Sequence, residues 1–504
     1  MLSVFDQGPF APCPSPFNLA AHVLRHAGRL AEKTALSVLT GDGSDDWSFA
    51  RLEAAVRGTG TGLLAAGLAP GDIVLMRLGN TVEFPVAYLG AIAAGLVPVP
   101  TSAQLTEVET ARIIADLKPA AVLRDPAVAC ASHPVQISTA RLLEMHRLAP
   151  CDYAFAEPDR LAYVVYTSGT SGNPRAVAHA HRAVWARQMM VDGWYGLTEQ
   201  DRLLHAGAFN WTYTLGTGLM DPWAAGATAL IPAPGTPPED LPELLRRHRA
   251  TLFAAAPGVY RKMLRGSPLD LPDLRHGLCA GEKLSRHLYE SWAAATGRGL
   301  YEAFGMSECS TFISASPAQP AQPAQDGALG RPQPGRKVAI TGAGGPVPMG
   351  EEGTIAIHRS DPGLMLGYLN APEETAARYQ GEWFLTGDQG AMSPDGQIRY
   401  LGRGDDMMNA GGYRVSPIEV ETALAAHPGI TQAGAAAVEV KEDTYIIAAF
   451  YTGPEELKTE DLQAFASRRL ARYKQPRAYV YLDALPTGAN GKLLRRALPA
   501  LFKG

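Results

Sequence analysis

A chain of 504 residues has room for roughly two to four domains, and an apolar content of 46% excludes a disordered polypeptide. Lys plus Arg number 45 against 50 Asp plus Glu, a formal net charge of −5, which leaves no electrostatic footprint for nucleic acid or an anionic membrane. Cys13, Cys130, Cys151, Cys279 and Cys309 are scattered, with no C-x-x-C pairing, and read as reduced thiols in a reducing compartment. The first residues lack a basic segment, carry Asp6 and are broken by prolines, unlike a signal peptide. The uncharged run 84–100 is interrupted by Pro85, Gly90, Gly95 and Pro98, so it predicts a buried helix and strand rather than a membrane span. The expectation is a cytoplasmic chain without stable membrane insertion.

The elements alternate along the chain. Residues 17–29 are amphipathic, 49–68 carry a helical pattern, and 72–76 read as a strand after a Pro-Gly turn. A helix over 82–94 ends at Gly95 and is followed by a strand over 97–99, then a helix over 107–117 and a strand over 120–123. This βαβ rhythm predicts an α/β fold whose helices cover partly parallel sheets. Residues 164–166 are β-prone and lead into a Gly/Ser/Thr loop, while the repeat at 317–325 reads as an exposed connection. Composition shifts near Leu401. Beyond it, helices over 417–426 and 459–470 and strands over 435–440, 446–451 and 478–482 predict a small separate α+β domain. The expected division is 1–402 and 403–504.

The segment Tyr166, Thr167, Ser168, Gly169, Thr170, Ser171, Gly172, Asn173, Pro174, Arg175 is the strongest chemical signal. Backbone N–H and hydroxyl groups in such a loop wrap phosphate oxygens, and Arg175 adds positive charge. It is not a Walker A loop, and by composition alone a Ser/Gly-rich surface loop fits as well.

Taken with five further segments, this loop resembles the adenylate-forming (AMP-binding, acyl-CoA synthetase) superfamily. Those segments are Gly281-Glu282; the run Tyr301, Glu302, Ala303, Phe304, Gly305, Met306, Ser307, Glu308; the stretch 383–388 ending in Asp388; the run 402–406 containing Arg403 and Asp405, with Gly411, Gly412, Tyr413 and Arg414 just beyond; and Gly491-Lys492. They occur in the family's order over nearly the whole chain. The resemblance implies a large N-terminal α/β domain, a small mobile C-terminal domain turning about Asp405, and a two-step reaction. A carboxylate attacks the α-phosphate of ATP to give an acyl-adenylate and pyrophosphate, and a thiol then displaces AMP.

By the same resemblance, Lys492, Glu308 and Thr167 are assigned to catalysis. Lys492 reaches the carboxylate and α-phosphate oxygens, and Glu308 helps hold Mg²⁺. Asp388 accepts from the ribose hydroxyls, with Arg403 beside the same sugar. Residues 167–172, Arg175, 281–282, 301–307 and 411–414 complete the expected contacts to nucleotide and coenzyme A. The glycines 411 and 412 admit a pantetheine arm close to backbone. Phe209, Trp211 and Gly281 are placed at the acid pocket, with Trp211 as its aromatic wall. Departures from the family pattern are Arg175-Ala176 where Lys-Gly is usual, Ser307 for Thr, and an altered stretch at 487–491 before Lys492.

Among members of the superfamily, the segments around 193–197, 220–223 and 256–260 look most like medium-chain acyl-CoA synthetases and benzoate–CoA ligases. Asn210 after Phe209, where amino-acid-activating members carry Asp, argues against an amino-acid substrate. The expected function is an ATP-dependent, AMP-forming carboxylate–CoA ligase for a medium-chain, aromatic or alicyclic acid. The expected participants are ATP, Mg²⁺, coenzyme A and a small carboxylic acid, with no nucleic-acid partner. Loading of a carrier protein and a non-catalytic nucleotide-binding relative remain open, as does the oligomeric state, a homodimer included.

Overall fold

The computed structural model describes residues 1–167, 175–266, 269–281, 283–320, 328–404, 406–410, 413–441, 444–470, 472–488 and 492–502. The βαβ rhythm of the first part folds as expected. Strands Ile73–Arg77, Val97–Pro100, Ala121–Arg124 and Gln136–Ser138 form a wholly parallel four-stranded sheet. The helix Glu83–Ala93 is buried on nearly every face, which explains its lack of amphipathic contrast. The helix Glu107–Leu117 begins where the sequence puts it, because Thr106 and Glu109 form a reciprocal capping box.

The amphipathic segment 17–29 is helical over only part of its length. Only Leu19–Val23 is helical, capped by the Asn18 side chain, and tighter i→i−3 bonds follow it. Leu24 and Ala27 are still buried, so the apolar spacing that suggested a longer helix reports burial rather than helicity.

Among the described residues the largest sheet has 16 strands. One half is parallel, running through Thr34–Leu39, Thr228–Pro232, Arg202–His205, Leu252–Ala255, His276–Ala280 and Gly299–Met306. The other half is antiparallel and begins at Ser310–Ser314. The change of direction is made by one tight hairpin, residues 307–309, and Glu308 lies in it. A third sheet is antiparallel: Leu161–Thr167 pairs with Arg175–Ala180, which pairs with Gly367–Tyr368.

Past residue 408 a three-stranded sheet, Gln432–Lys441, Thr444–Thr452 and Ala478–Tyr481, packs with helices Pro417–Ala425 and Thr459–Ser467 around apolar side chains of its own. Residues 317–320 are exposed. All five cysteines are free, and no helix among the described residues is long and apolar enough to cross a membrane.

Candidate active site

The antiparallel pair Leu161–Thr167 and Arg175–Ala180 brings Thr167 opposite Arg175, so the two strand ends flank the hydroxyl-rich loop. Residues 168–172 of that loop lie outside the described residues, as do Glu282, Asp405, Gly411 and Gly412. Arg175 is ion-paired with Glu374 and sits 5.7 Å from the ring centre of Tyr368. The Tyr368 hydroxyl in turn donates to Glu308 Oε1 at 2.7 Å. Burial and the neighbouring Glu308 carboxylate hold the Tyr368 phenol above its ordinary range, which keeps it protonated as the donor. A chain of contacts thus runs from the loop's end to Glu308.

The hairpin that carries Glu308 is tightly built. The register shifts between Phe304 and Gly305, and a Cβ on Gly305 would lie 2.2 Å from the Ser310 carbonyl oxygen, so only glycine fits. Ser310 itself adopts φ 61°, and its hydroxyl accepts from Arg187 Nη1 at 2.5 Å. The Glu308 carbonyl accepts from Met365 N–H at 2.7 Å. Mg²⁺ is commonly held by one or two carboxylates with phosphates and waters, and Glu308 fits that mode. The described residues contain no cluster of three or more His, Cys, Asp or Glu suited to a metal.

Asp388 is buried and lies opposite Arg403 across strands Trp383–Met392 and Ile398–Arg403. Tyr400 donates to its Oδ1 at 2.9 Å, and Arg403 Nη1 is 3.7 Å from Oδ2. Its backbone N–H donates to Thr386 Oγ1 at 3.1 Å. The Tyr400 ring lies 5.2 Å from that of Phe304, which joins this carboxylate group to the 301–308 run. Within that run Tyr301 packs edge-on to His276, Ala303 is buried and Met306 is partly buried.

Glu302 is bonded within the protein. Its carboxylate is buried, accepts from Lys283 Nζ at 2.7 Å and from Leu284 N–H at 3.0 Å, and its carbonyl accepts from Ala315 N–H at 3.0 Å. Burial pushes its pKa up, and Lys283 opposes the shift. The carboxylate thus ties Lys283 and Leu284 to the strand Gly299–Met306.

Trp211 and Gly281 are in contact. Gly281 has φ 94°, and a Cβ there would lie 2.7 Å from the indole Cζ2 of Trp211. Phe209, by contrast, is 2% exposed and packs 6.0 Å from the ring of Phe84, inside the core. Trp211, the aromatic expected as the wall of the acid pocket, thus borders Gly281. Lys492 is exposed, and its carbonyl accepts from Gly488 N–H at 2.8 Å. Three residues on, Arg495 is bound by Glu421 at 2.7 and 2.6 Å and lies 3.6 Å from Asp406. Tyr413 and Arg414 begin the strand Tyr413–Val415.

Sequence reasoning missed Tyr368, Tyr400 and Lys283. Tyr400 had a usable signal, because it lies on the strand that returns from Asp388 toward Arg403. Tyr368 had none, since its contact with Glu308 spans 60 residues.

Residues 23–369 match the family model of the AMP-binding enzyme, and 419–492 match the AMP-binding enzyme C-terminal domain. The chain belongs to the AMP-binding enzyme family. It is 31% identical to the benzoate–CoA ligase of Thauera aromatica over 532 aligned positions, covering 98% of each chain. It is 30% identical to the 3-hydroxybenzoate–CoA ligase of Aromatoleum sp. (strain CIB), covering 92% of each. The solved structure of the anthranilate CoA ligase AuaEII in complex with anthranoyl-AMP superimposes with a TM-score of 0.86 at 25% identity, covering 97% of this chain and 98% of that one.

Proposed function

We propose that this protein is an ATP-dependent, AMP-forming ligase that joins an aromatic or medium-chain carboxylic acid to coenzyme A through an acyl-adenylate. The observation that carries the reading is the convergence on one hairpin. Glu308 sits where the sheet changes direction, tied through Tyr368 to the hydroxyl-rich loop and through Phe304 and Tyr400 to Asp388. Full-length likeness to ligases named for benzoate, 3-hydroxybenzoate and anthranilate supports an aromatic acid.

The roles follow from chemistry. Two anions must meet when a carboxylate attacks the α-phosphate, so compensating charge at the reacting oxygens lowers the barrier. Lys492 supplies it as a mobile ammonium, and Arg175 supplies it at the phosphate loop. Asp388 accepts from the ribose hydroxyls and is oriented by Tyr400 and Arg403. Glu308 would hold Mg²⁺, which would supply positive charge to the phosphates. Trp211 and Gly281 border the acid. The C-terminal part, 403–504, turns about Asp405 between the half-reactions and exchanges Lys492 for Gly411 and Gly412.

Pyrophosphate release over a panel of acids, with thioester detected by mass spectrometry, tests the reading. Acid-dependent pyrophosphate and a matching acyl-CoA support it, whereas acid-independent ATP hydrolysis contradicts it.

A further inference from the structure

The hairpin that carries Glu308 is held by contacts from several segments. His179 Nε2 donates to the Ser307 carbonyl at 2.7 Å, and Met365 N–H donates to the Glu308 carbonyl at 2.7 Å. At the far end of the hairpin, Arg187 Nη1 donates to Ser310 Oγ at 2.5 Å. This last contact stands apart, because it is made by a buried cation that reaches the hairpin from the side of the proposed acid site.

Arg187 is 8% exposed and Asp221 is 7% exposed. Asp221 accepts from Nε at 2.7 Å and from Nη2 at 2.6 Å, and Tyr195 donates to the same carboxylate. Thr217 Oγ1 accepts from Nη2 at 3.3 Å. The guanidinium lies flush against the backbone at Gly216, where an added Cβ would be 2.3 Å from Nη2. Gly216 and Thr217 belong to the helical segment Thr214–Met220, which begins shortly after Trp211. Two edges of the planar fork are therefore fixed on that segment and on Asp221, and the remaining nitrogen is directed at Ser310. Desolvation offsets much of the attraction within a buried ion pair, so what this one adds is direction.

Ser310 is the point where direction matters. Its φ of 61° is left-handed, which a residue with a Cβ adopts at a cost. It pairs with Met306 across the hairpin, so its setting governs the three residues between them, Glu308 included. We infer that Arg187 is a positioning residue: braced by Asp221, it holds Ser310 and thereby fixes the hairpin that presents Glu308 to Mg²⁺. The inference rests on the assignment of Glu308 to Mg²⁺ in the ligase reading. It adds a side chain that touches neither nucleotide nor metal and acts through Ser310.

The test measures binding of α,β-methylene-ATP, which cannot be cleaved to AMP, by calorimetry in EDTA and in saturating Mg²⁺. The ratio of the two affinities reports the metal without turnover, and thermal unfolding in EDTA reports the fold. Ser310→Ala removes the hydroxyl and leaves the Arg187–Asp221 pair in place. It should cut the gain from Mg²⁺ about tenfold, in line with loss of a group that orients a metal ligand. Ser310→Gly should cut it equally, although glycine suits a left-handed φ better. Arg187→Lys keeps the charge but not the fork and should match Ser310→Ala, and the double variant should lose no more than either alone. Glu308→Gln is the reference. An unchanged gain in Glu308→Gln would remove Glu308 from the metal, and the inference with it. Loss of the gain in Glu308→Gln but not in Ser310→Ala, whatever its Tm, would overturn the inference and leave the ligase reading standing. Recovery in Ser310→Gly would trace the effect to backbone strain, and additive losses in the double variant to two independent contacts; either result overturns the inference.

Discussion

Asp388 and Arg403 are register partners across two antiparallel strands, with Arg403 Nη1 3.7 Å from Oδ2 and Tyr400 donating to Oδ1 at 2.9 Å. The carboxylate is 5% exposed, so few waters substitute for lost partners. Asp388→Asn removes the charge and one acceptor while keeping shape. Hydrogen bonds to a charged group contribute about 1.5–3 kcal/mol, which predicts a rise in KM for ATP of about 10–100-fold. Tyr400→Phe should have a smaller effect in the same direction. Equal KM values for ATP in the unaltered protein and Asp388→Asn would remove Asp388 from the ribose site.

Gly281 and Trp211 should behave as a coupled pair. Gly281→Ala places a methyl within 2.7 Å of the indole and strains a backbone at φ 94°. It should lower kcat/KM for the acid more than for ATP. Trp211→Ala should broaden the profile to bulkier acids and weaken the preferred one by about 1–3 kcal/mol. The double variant should recover part of the Gly281→Ala loss, because the clash is gone and only the backbone strain remains. Strictly additive losses would show that the two residues do not share the acid.

Lys492→Ala should reduce adenylate formation by roughly 100–1000-fold, by analogy with loss of an oxyanion donor. Thioester formation from supplied acyl-adenylate should be largely spared. Rapid-quench measurement of the two half-reactions separates these effects, and equal losses in both would rule out the exchange of Lys492 for the glycines at 411 and 412.

Stability should fall with acid. Burial depresses the pKa of His22, His181 and His205 to about 3 and of His179 and His276 to about 4. These groups are neutral in the folded chain, whereas unfolded histidines take up protons near pH 6.5. Below that value the unfolded state binds more protons, so stability drops progressively from about pH 6.5 toward pH 4 to 3, each group contributing up to about 1.4 kcal/mol per pH unit. His205 is the cleanest case, since burial is the cause of its shift and neither ring nitrogen has a partner among the described residues. His205→Leu should flatten the dependence of Tm on pH between 7 and 5. A slope identical to that of the unaltered protein would contradict this assignment.

What the sequence disclosed was local. The helix over 107–117, the helix end at Gly95 and the apolar run 446–451 are written in neighbouring residues, and those elements appear where expected. The antiparallel half of the large sheet was not legible, because its pairings join segments as distant as Val4 and Ala339. The same limit applies to the site. Asp388 and Glu308 were visible through their motifs, but the side chains that fix them come from elsewhere. Glu302 was placed at the nucleotide by resemblance of the whole 301–308 run, and its bonds to Lys283 Nζ and Leu284 N–H were not legible in the sequence.

The central claim is that the acid's own oxygen attacks the α-phosphate. Incubation with ATP, coenzyme A and an acid doubly labelled with ¹⁸O in its carboxylate tests it directly, with the products weighed by mass spectrometry. Transfer of one ¹⁸O from the acid to AMP, accompanied by pyrophosphate and one acyl-CoA per AMP, is the predicted result. Label in inorganic phosphate together with ADP, or AMP without label, would contradict the account.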